Sequence, residues 1–184
     1  MKTTPSTFLV FLLLLTSFFL LILPQFGSAS QNFEPQSGDG VLSLHNLHLK
    51  ESLEVQYRNA DGSYDTKALK KINHLLRCRQ TLKTHEMNAN LIELIDTIQD
   101  HFGGKEVQVI SGYRSPELNS NLRSQGRAVA QKSLHMSGLA IDIRIPGIST
   151  STLREFAYSL RKGGVGYYPH DGFVHVDVGR FRTW

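Results

Sequence analysis

The sequence predicts an α+β fold: an antiparallel sheet, with helices packed on one side. Helical periodicity fills the stretch between about residues 65 and 102, while β-branched, alternating runs gather after residue 139. Turn residues separate the last two runs closely enough for a hairpin, and helices coming first with strands concentrated in the second half fit an antiparallel sheet with helices on one side.

The elements follow in order. Val41 to Leu49 and Leu53 to Tyr57 alternate apolar and polar residues, and Asn59-Ala-Asp-Gly62 closes this first strand pair with a turn. Asp65 can cap a helix whose apolar stripe is Ala68, Leu69, Ile72, Leu75 and Leu76. A second helix starts near Asn88 or Asn90, carries Leu91, Leu94, Ile95, Ile98 and Phe102, and ends at Gly103-Gly104. Val107 to Ile110 is a short strand running into Ser111-Gly-Tyr-Arg-Ser-Pro116. Ser115 as N-cap and Pro116 in the first turn start a short helix that reaches about Ser124. Residues 125 to 139 read as loop. Ala140 to Ile145 is a strand stopped by Pro146-Gly147, and Thr150 to Arg161 is a helix through Leu153, Phe156, Ala157 and Leu160. Val165 to Tyr168 and Phe173 to Val178 then form a hairpin over Pro169-His-Asp-Gly172.

Ahead of the domain, Lys2 is the only charge in the first thirty residues. Phe8 to Leu23 is an almost unbroken apolar run, and Pro24 and Ser28-Ala29-Ser30 follow it. This is the pattern of a secretory signal over residues 1–30, cleaved after Ser30, with an uncleaved signal anchor as the alternative. Residues 31–40 read as a flexible leader and residues 41–184 as one domain, large enough to bury a core. The expected location is the periplasm, with an inner-membrane tether if the signal stays on. The formal charge of +4 is mildly basic. It suits an anionic polymer as well as it suits plain solubility, and the scattered basic residues exclude a nucleic-acid stripe. Cys78 is the single cysteine, so no disulfide can form within the chain, and a half-buried free thiol is expected.

Strand alternation organises the chemistry. In Ala140-Ile-Asp-Ile-Arg144, Asp142 points away from Ile141 and Ile143. In Phe173-Val-His-Val-Asp177, His175 and Asp177 share the face opposite the valines. The aliphatic residues need the core, so Asp142 and His175 are driven to the other side. His135 sits on the loop feeding the first of these strands, where Gly138 gives that loop freedom to fold back. Taken singly, a histidine is more often a surface residue, and Asp142 has an ordinary partner in Arg144. Together, two imidazoles and a carboxylate with one open position are the composition of a catalytic zinc site.

Ser133-x-His135-x-x-Gly138-x-Ala140-x-Asp142 resembles the first zinc motif of the D-alanyl-D-alanine carboxypeptidase and murein endopeptidase superfamily. Ser111-Gly-Tyr-Arg114 resembles the element that precedes it, and His175 resembles the third ligand. From about Leu42 to Trp184 the chain is similar to the murein endopeptidase K branch, a match strengthened by Gly163-Gly-Val-Gly-Tyr-Tyr-Pro169 and the closing Arg182-x-Trp184. The resemblance implies zinc held by His135, Asp142 and His175, and hydrolysis of peptide bonds in peptidoglycan stem peptides by a metal-activated water. Arg114 is then placed to hold the carbonyl oxygen or a substrate carboxylate, with a structural ion pair as its plainer role. Ser133 is expected near the metal or as a loop cap, and Tyr113 in packing.

One departure bears on mechanism. Many superfamily members place a Glu three residues before the last ligand, or a His two before it, as general base. Here those positions are Gly172 and Phe173. Asp177 is one candidate base, although orienting a ligand His through its free ring nitrogen is the slightly favoured role. Asp171 and His170 are the alternatives. The competing functions are a carboxypeptidase trimming terminal D-alanine and an inactive zinc-containing wall-binding module. Any regulatory partner is unknown from the chain. Cysteine or serine nucleophiles and phosphate loops find no motif: Cys78 lacks a partner, no Gly-x-Ser-x-Gly is present, and Gly163 to Gly166 lacks the Lys-Ser/Thr ending.

Overall fold

Alternation in Val41–Asn46 buries Leu42 and Leu44 completely, which makes this segment, β1, an inner strand of the sheet. The computed structural model of the chain describes residues 38–127 and 129–184; the expected signal segment and residues 31–37 of the expected leader lie outside them. Gly38 to Gly40, also expected in the flexible leader, are packed. The Asp39 amide donates to Asp100 at 2.7 Å and the Gly40 amide to Asp96 at 2.9 Å. Among the described residues no helix is long and apolar enough to cross a membrane.

β2 (Glu51–Gln56) pairs antiparallel with β1. α1 (Thr66–Leu75) starts at Asp65, whose carboxylate accepts from the Lys67 and Ala68 amides, and α2 (Ala89–His101) is capped by Asn88. β3 (Val107–Ser111) leads into α3 (Pro116–Ser124), where Ser115 accepts from the Leu118 amide and Pro116 occupies the first turn, as the sequence predicts. β4 (Ala140–Arg144), α4 (Thr150–Ser159), β5 (Gly164–Tyr168) and β6 (Phe173–Asp177) follow, and a two-residue β7 (Arg182–Thr183) ends the chain.

The strand order is β2-β1-β3-β4-β6-β5-β7. β1 runs parallel to β3 and β5 parallel to β7, so the sheet is mixed, which corrects the expectation of a purely antiparallel one. The chain between β1 and β3 holds β2 and two helices, long enough to return in the same direction. Alternation within a strand carries no information about its partner's direction. Leu42, Leu44, Val107, Val109, Ile141, Ile143, Val174 and Val176 supply the sheet's share of one apolar core, and α1, α2 and α4 cover it with residues such as Ile72, Ile95 and Leu153. α3 lies outside that core. Its Leu118 and Leu122 face the cleft described below, so not every helix packs on one side.

Candidate metal centre and its cleft

β4 and β6 are neighbours, and their register sets Asp142 directly opposite His175. His135 joins them from a short 3-10 turn, Leu134–Ser137, inside the stretch expected to be loop. Gly138 ends the turn at φ +67°, and a side chain there would meet the Glu86 carbonyl at 2.3 Å. Glycine therefore fixes where the imidazole stands. The Ser111–Arg114 segment holds the turn from the other side: the Arg114 amide donates to the His135 carbonyl at 3.2 Å, and Tyr113 hangs from the Leu76 carbonyl after α1.

Three donor atoms converge. His135 Nε2 and Asp142 Oδ1 are 3.2 Å apart, His175 Nδ1 and the same oxygen 2.9 Å, and the two ring nitrogens 3.2 Å. A tetrahedral ion with bonds of about 2.0–2.1 Å separates its ligand atoms by about 3.3 Å, so the triangle is the right size. The outer ring nitrogens show why a cation would fit there. His135 Nδ1 faces the Gly112 carbonyl at 2.8 Å, and His175 Nε2 faces Asp177 Oδ2 at 3.0 Å. Both partners accept, so in neutral imidazoles each outer nitrogen carries the proton. The two inner nitrogens are then lone pairs pointing at each other and at a carboxylate, an arrangement that fits a bound metal ion.

His135, Asp142 and His175 are all buried. Burial alone would raise the Asp142 carboxyl, but His135 and His175 beside it outweigh burial and hold it well below the ordinary carboxylate range. Arg114, nearly buried, reaches Asp142 Oδ2 and the Ser111 hydroxyl through Nη2, both at 3.3 Å, and its Nε has no hydrogen-bond partner. The guanidinium also lines the cleft beside the candidate metal position.

The other expected residues separate. Asp177 is fully buried and stays off the cleft. It accepts from Arg182 through both oxygens (3.1 and 2.7 Å) and from the Gly164 and Gly179 amides, besides facing His175. Asp171 is exposed and lines the cleft, whereas His170 beside it does not. Ser133 is buried at the start of the 3-10 turn and borders the cleft without capping the turn. Tyr113 stacks on His85 at 4.7 Å, as a packing residue should. Cys78 is wholly buried rather than half-buried.

The cleft over the metal position has a volume of about 650 Å³. Sequence reasoning missed its far wall, which is built by the chain end. Trp184 packs 5.1 Å from the His175 ring, its indole N–H donates to the Tyr168 hydroxyl at 2.8 Å, and its carbonyl accepts from the Tyr167 amide. A side chain on Gly166 would strike the indole at 2.7 Å, and one on Gly163 would overlap the Asp177 carbonyl. The small residues of Gly163-Gly-Val-Gly166 were the available signal for that close packing.

Two imidazoles and a carboxylate at the floor of an open cleft, carried by an α+β sheet, define a candidate mononuclear metallohydrolase. Residues 35–184 match the family described as peptidoglycan L,D-endopeptidase MepK, and the chain belongs to that family. It is similar to the peptidoglycan L,D-endopeptidase MepK of Escherichia coli strain K12, 42% identical over 145 residues that cover 78% of this chain and 79% of that protein. It is also similar to a Haemophilus influenzae protein named probable peptidoglycan L,D-endopeptidase MepK, 41% identical over 146 residues covering 78% of each. The family implies a metal cofactor, and the donor set found at His135, Asp142 and His175 fits one.

Proposed function

We propose that this chain is an exported zinc peptidase that hydrolyses peptide cross-links in bacterial peptidoglycan. The observation that carries the reading is the convergence of His135, Asp142 and His175, with both imidazoles anchored through their outer nitrogens, on the floor of a cleft that Arg114 also lines. Two nitrogens and one carboxylate oxygen suit zinc, and because His135, Asp142 and His175 all line the cleft, an ion held by them would be reachable from it. Zinc bound there would acidify a water molecule and polarise the scissile carbonyl. Arg114, lining the cleft beside it, would steady the oxygen on which negative charge develops. Asp177 would fix the tautomer and angle of His175, and with its oxygens already accepting from Arg182 and two amides it would not serve as base. Asp171, on the cleft and exposed, is our candidate for moving the proton. The apolar run Phe8 to Leu23 supports export to the periplasm, cleaved or tethered.

The cleft runs on into a second compartment of about 390 Å³ that shares His48, Arg79, Leu118 and Leu122 with the first. Room beyond the reacting position supports an endopeptidase, whose substrate continues both ways, over a carboxypeptidase pocket. Digestion of purified sacculi by the native protein and by His135→Ala, followed by separation of the muropeptides, tests the reading. Loss of cross-linked dimers with the native protein alone is expected. Shortened stems would mean a carboxypeptidase, and identical profiles a binding module.

A further inference from the structure

We propose that Arg79, braced by His48, is a specificity-determining residue that binds a free carboxylate of the substrate where the two compartments of the cleft meet. The inference rests on the endopeptidase reading and names what that site selects.

Arg79 and His48 come from separate parts of the chain. His48 stands in the turn between β1 and β2, and Arg79 follows α1. An Arg79 Nη1 hydrogen donates to His48 Nε2, and both residues line both compartments. Burial and the charge of Arg79 lower the His48 pKa, in keeping with a neutral ring that accepts this hydrogen bond. One edge of the guanidinium is thereby held, and the rest of the fork is left for a ligand.

Position singles Arg79 out: Arg127 and Lys132 also line the cleft without a paired acid, but among the described residues Arg79 is the cation that lines both compartments. Among the described residues, the Lys and Arg side chains paired with an acid are those of Arg58, Arg77, Lys83, Arg114 and Arg182, and Arg79 is not one of them. Of the cleft's two acids, Asp142 belongs to the metal position and to Arg114, and Asp171 lies on the β5–β6 turn. The walls of the second compartment around Arg79 are otherwise amides and leucines: Gln80, Asn121, Gln125, Leu118 and Leu122. An exposed guanidinium without a counter-ion, recessed among neutral groups, is built for a planar anion that accepts two parallel hydrogen bonds. In a peptide substrate that anion is a carboxylate. A stem peptide meets the requirement when a free acid lies a short reach from the bond being cut.

The test uses two cross-linked muropeptide substrates, identical except that in one the free carboxylate beside the cleaved bond is converted to a carboxamide. The native zinc-loaded enzyme is expected to cleave the acid with about 10- to 100-fold higher kcat/KM, mostly through KM, as loss of a charged hydrogen-bond pair should give. In Arg79→Gln that ratio should collapse to within about twofold. Arg79 is exposed, so the substitution leaves the core untouched. An undiminished preference in Arg79→Gln, or equal cleavage of both substrates by the native enzyme, would overturn the carboxylate subsite and leave the endopeptidase reading standing. Cleavage of neither substrate by the native enzyme would overturn both.

Discussion

Asp177 Oδ2 lies 3.0 Å from His175 Nε2, two residues along the same face of β6, while His175 Nδ1 looks the other way toward Asp142. Burial would raise the Asp177 carboxyl, but His175, Arg182 and the Gly164 and Gly179 amides hold it well below the ordinary range. Asp177 therefore stays charged behind the ring and, by occupying Nε2, would leave Nδ1 as the nitrogen for a metal. Removing its charge while keeping its shape should weaken metal binding more than folding. In Asp177→Asn, zinc affinity is expected to fall about 10- to 100-fold. Competition with a chromophoric chelator measures it, and native affinity would assign Asp177 to packing alone.

Gly138 answers to two constraints at once, a left-handed backbone and the Glu86 carbonyl 2.3 Å from where Cβ would stand. Gly172, at φ +71° on the tip of the β5–β6 turn, has the first constraint with open space around it. Asparagine tolerates the left-handed region, so the pair separates strain from collision. Gly172→Asn should lower stability by less than about 1 kcal/mol, whereas Gly138→Asn should lose about 2–4 kcal/mol and metal with it. Urea unfolding and metal analysis of the two variants provide the comparison. Equal losses would mean that the backbone angle alone matters at Gly138.

The placement of Asp142 and His175 was legible because alternation forces it. Isoleucines and valines on one face of β4 and β6 leave the acid and the imidazole on the other, and the structure pairs them directly. The helix starts at Asp65, Asn88 and Ser115 were legible for an equally local reason, since each cap bonds within three residues. What stayed hidden depends on contacts between segments far apart. The parallel pairing of β1 with β3, the grip of Arg182 on Asp177, and Trp184 folding back over His175 all join distant parts of the chain. His48 meets Arg79 in the same non-local way.

Asp96 on α2 is fully buried under Tyr57 and the Gly40 amide, with its Oδ1 lacking any hydrogen-bond partner. Burial pushes its carboxyl up to about 6, against the opposing pull of those hydrogen bonds. A folded-state pKa above the unfolded value of about 3.9 means that the fold favours the protonated acid. This contribution is complete below about pH 4 and disappears as pH rises through about 6. Its ceiling is about 3 kcal/mol, at 1.36 kcal/mol per unit. Asp96→Asn cannot ionise, so its stability relative to the native protein should climb between pH 4 and 7. Urea midpoints at several pH values show the trend. A flat or falling difference would mean that Arg58, 3.8 Å away, keeps Asp96 charged in the fold.

Trp184 is the chain's only tryptophan, half exposed, and its ring lies 5.1 Å from that of His175. The protein thus carries a built-in reporter beside a candidate metal ligand. Burial lowers the His175 pKa, but the hydrogen bonds and charges of Asp142 and Asp177 outweigh it and raise the value without metal. The metal-free ring therefore holds a proton more readily than an ordinary imidazole, and an imidazolium beside an indole quenches its emission. Zinc bound as proposed would compete with that proton for Nδ1, so metal loading should restore the fluorescence. Chelation at about pH 6 is expected to dim Trp184, stoichiometric zinc to recover it, and the recovery to shrink as pH rises and the free ring loses its proton. The same titration on His175→Ala should show no metal-dependent change. Emission indifferent to chelator and zinc in the native protein would place the indole away from His175 and remove the wall that the chain end gives the cleft.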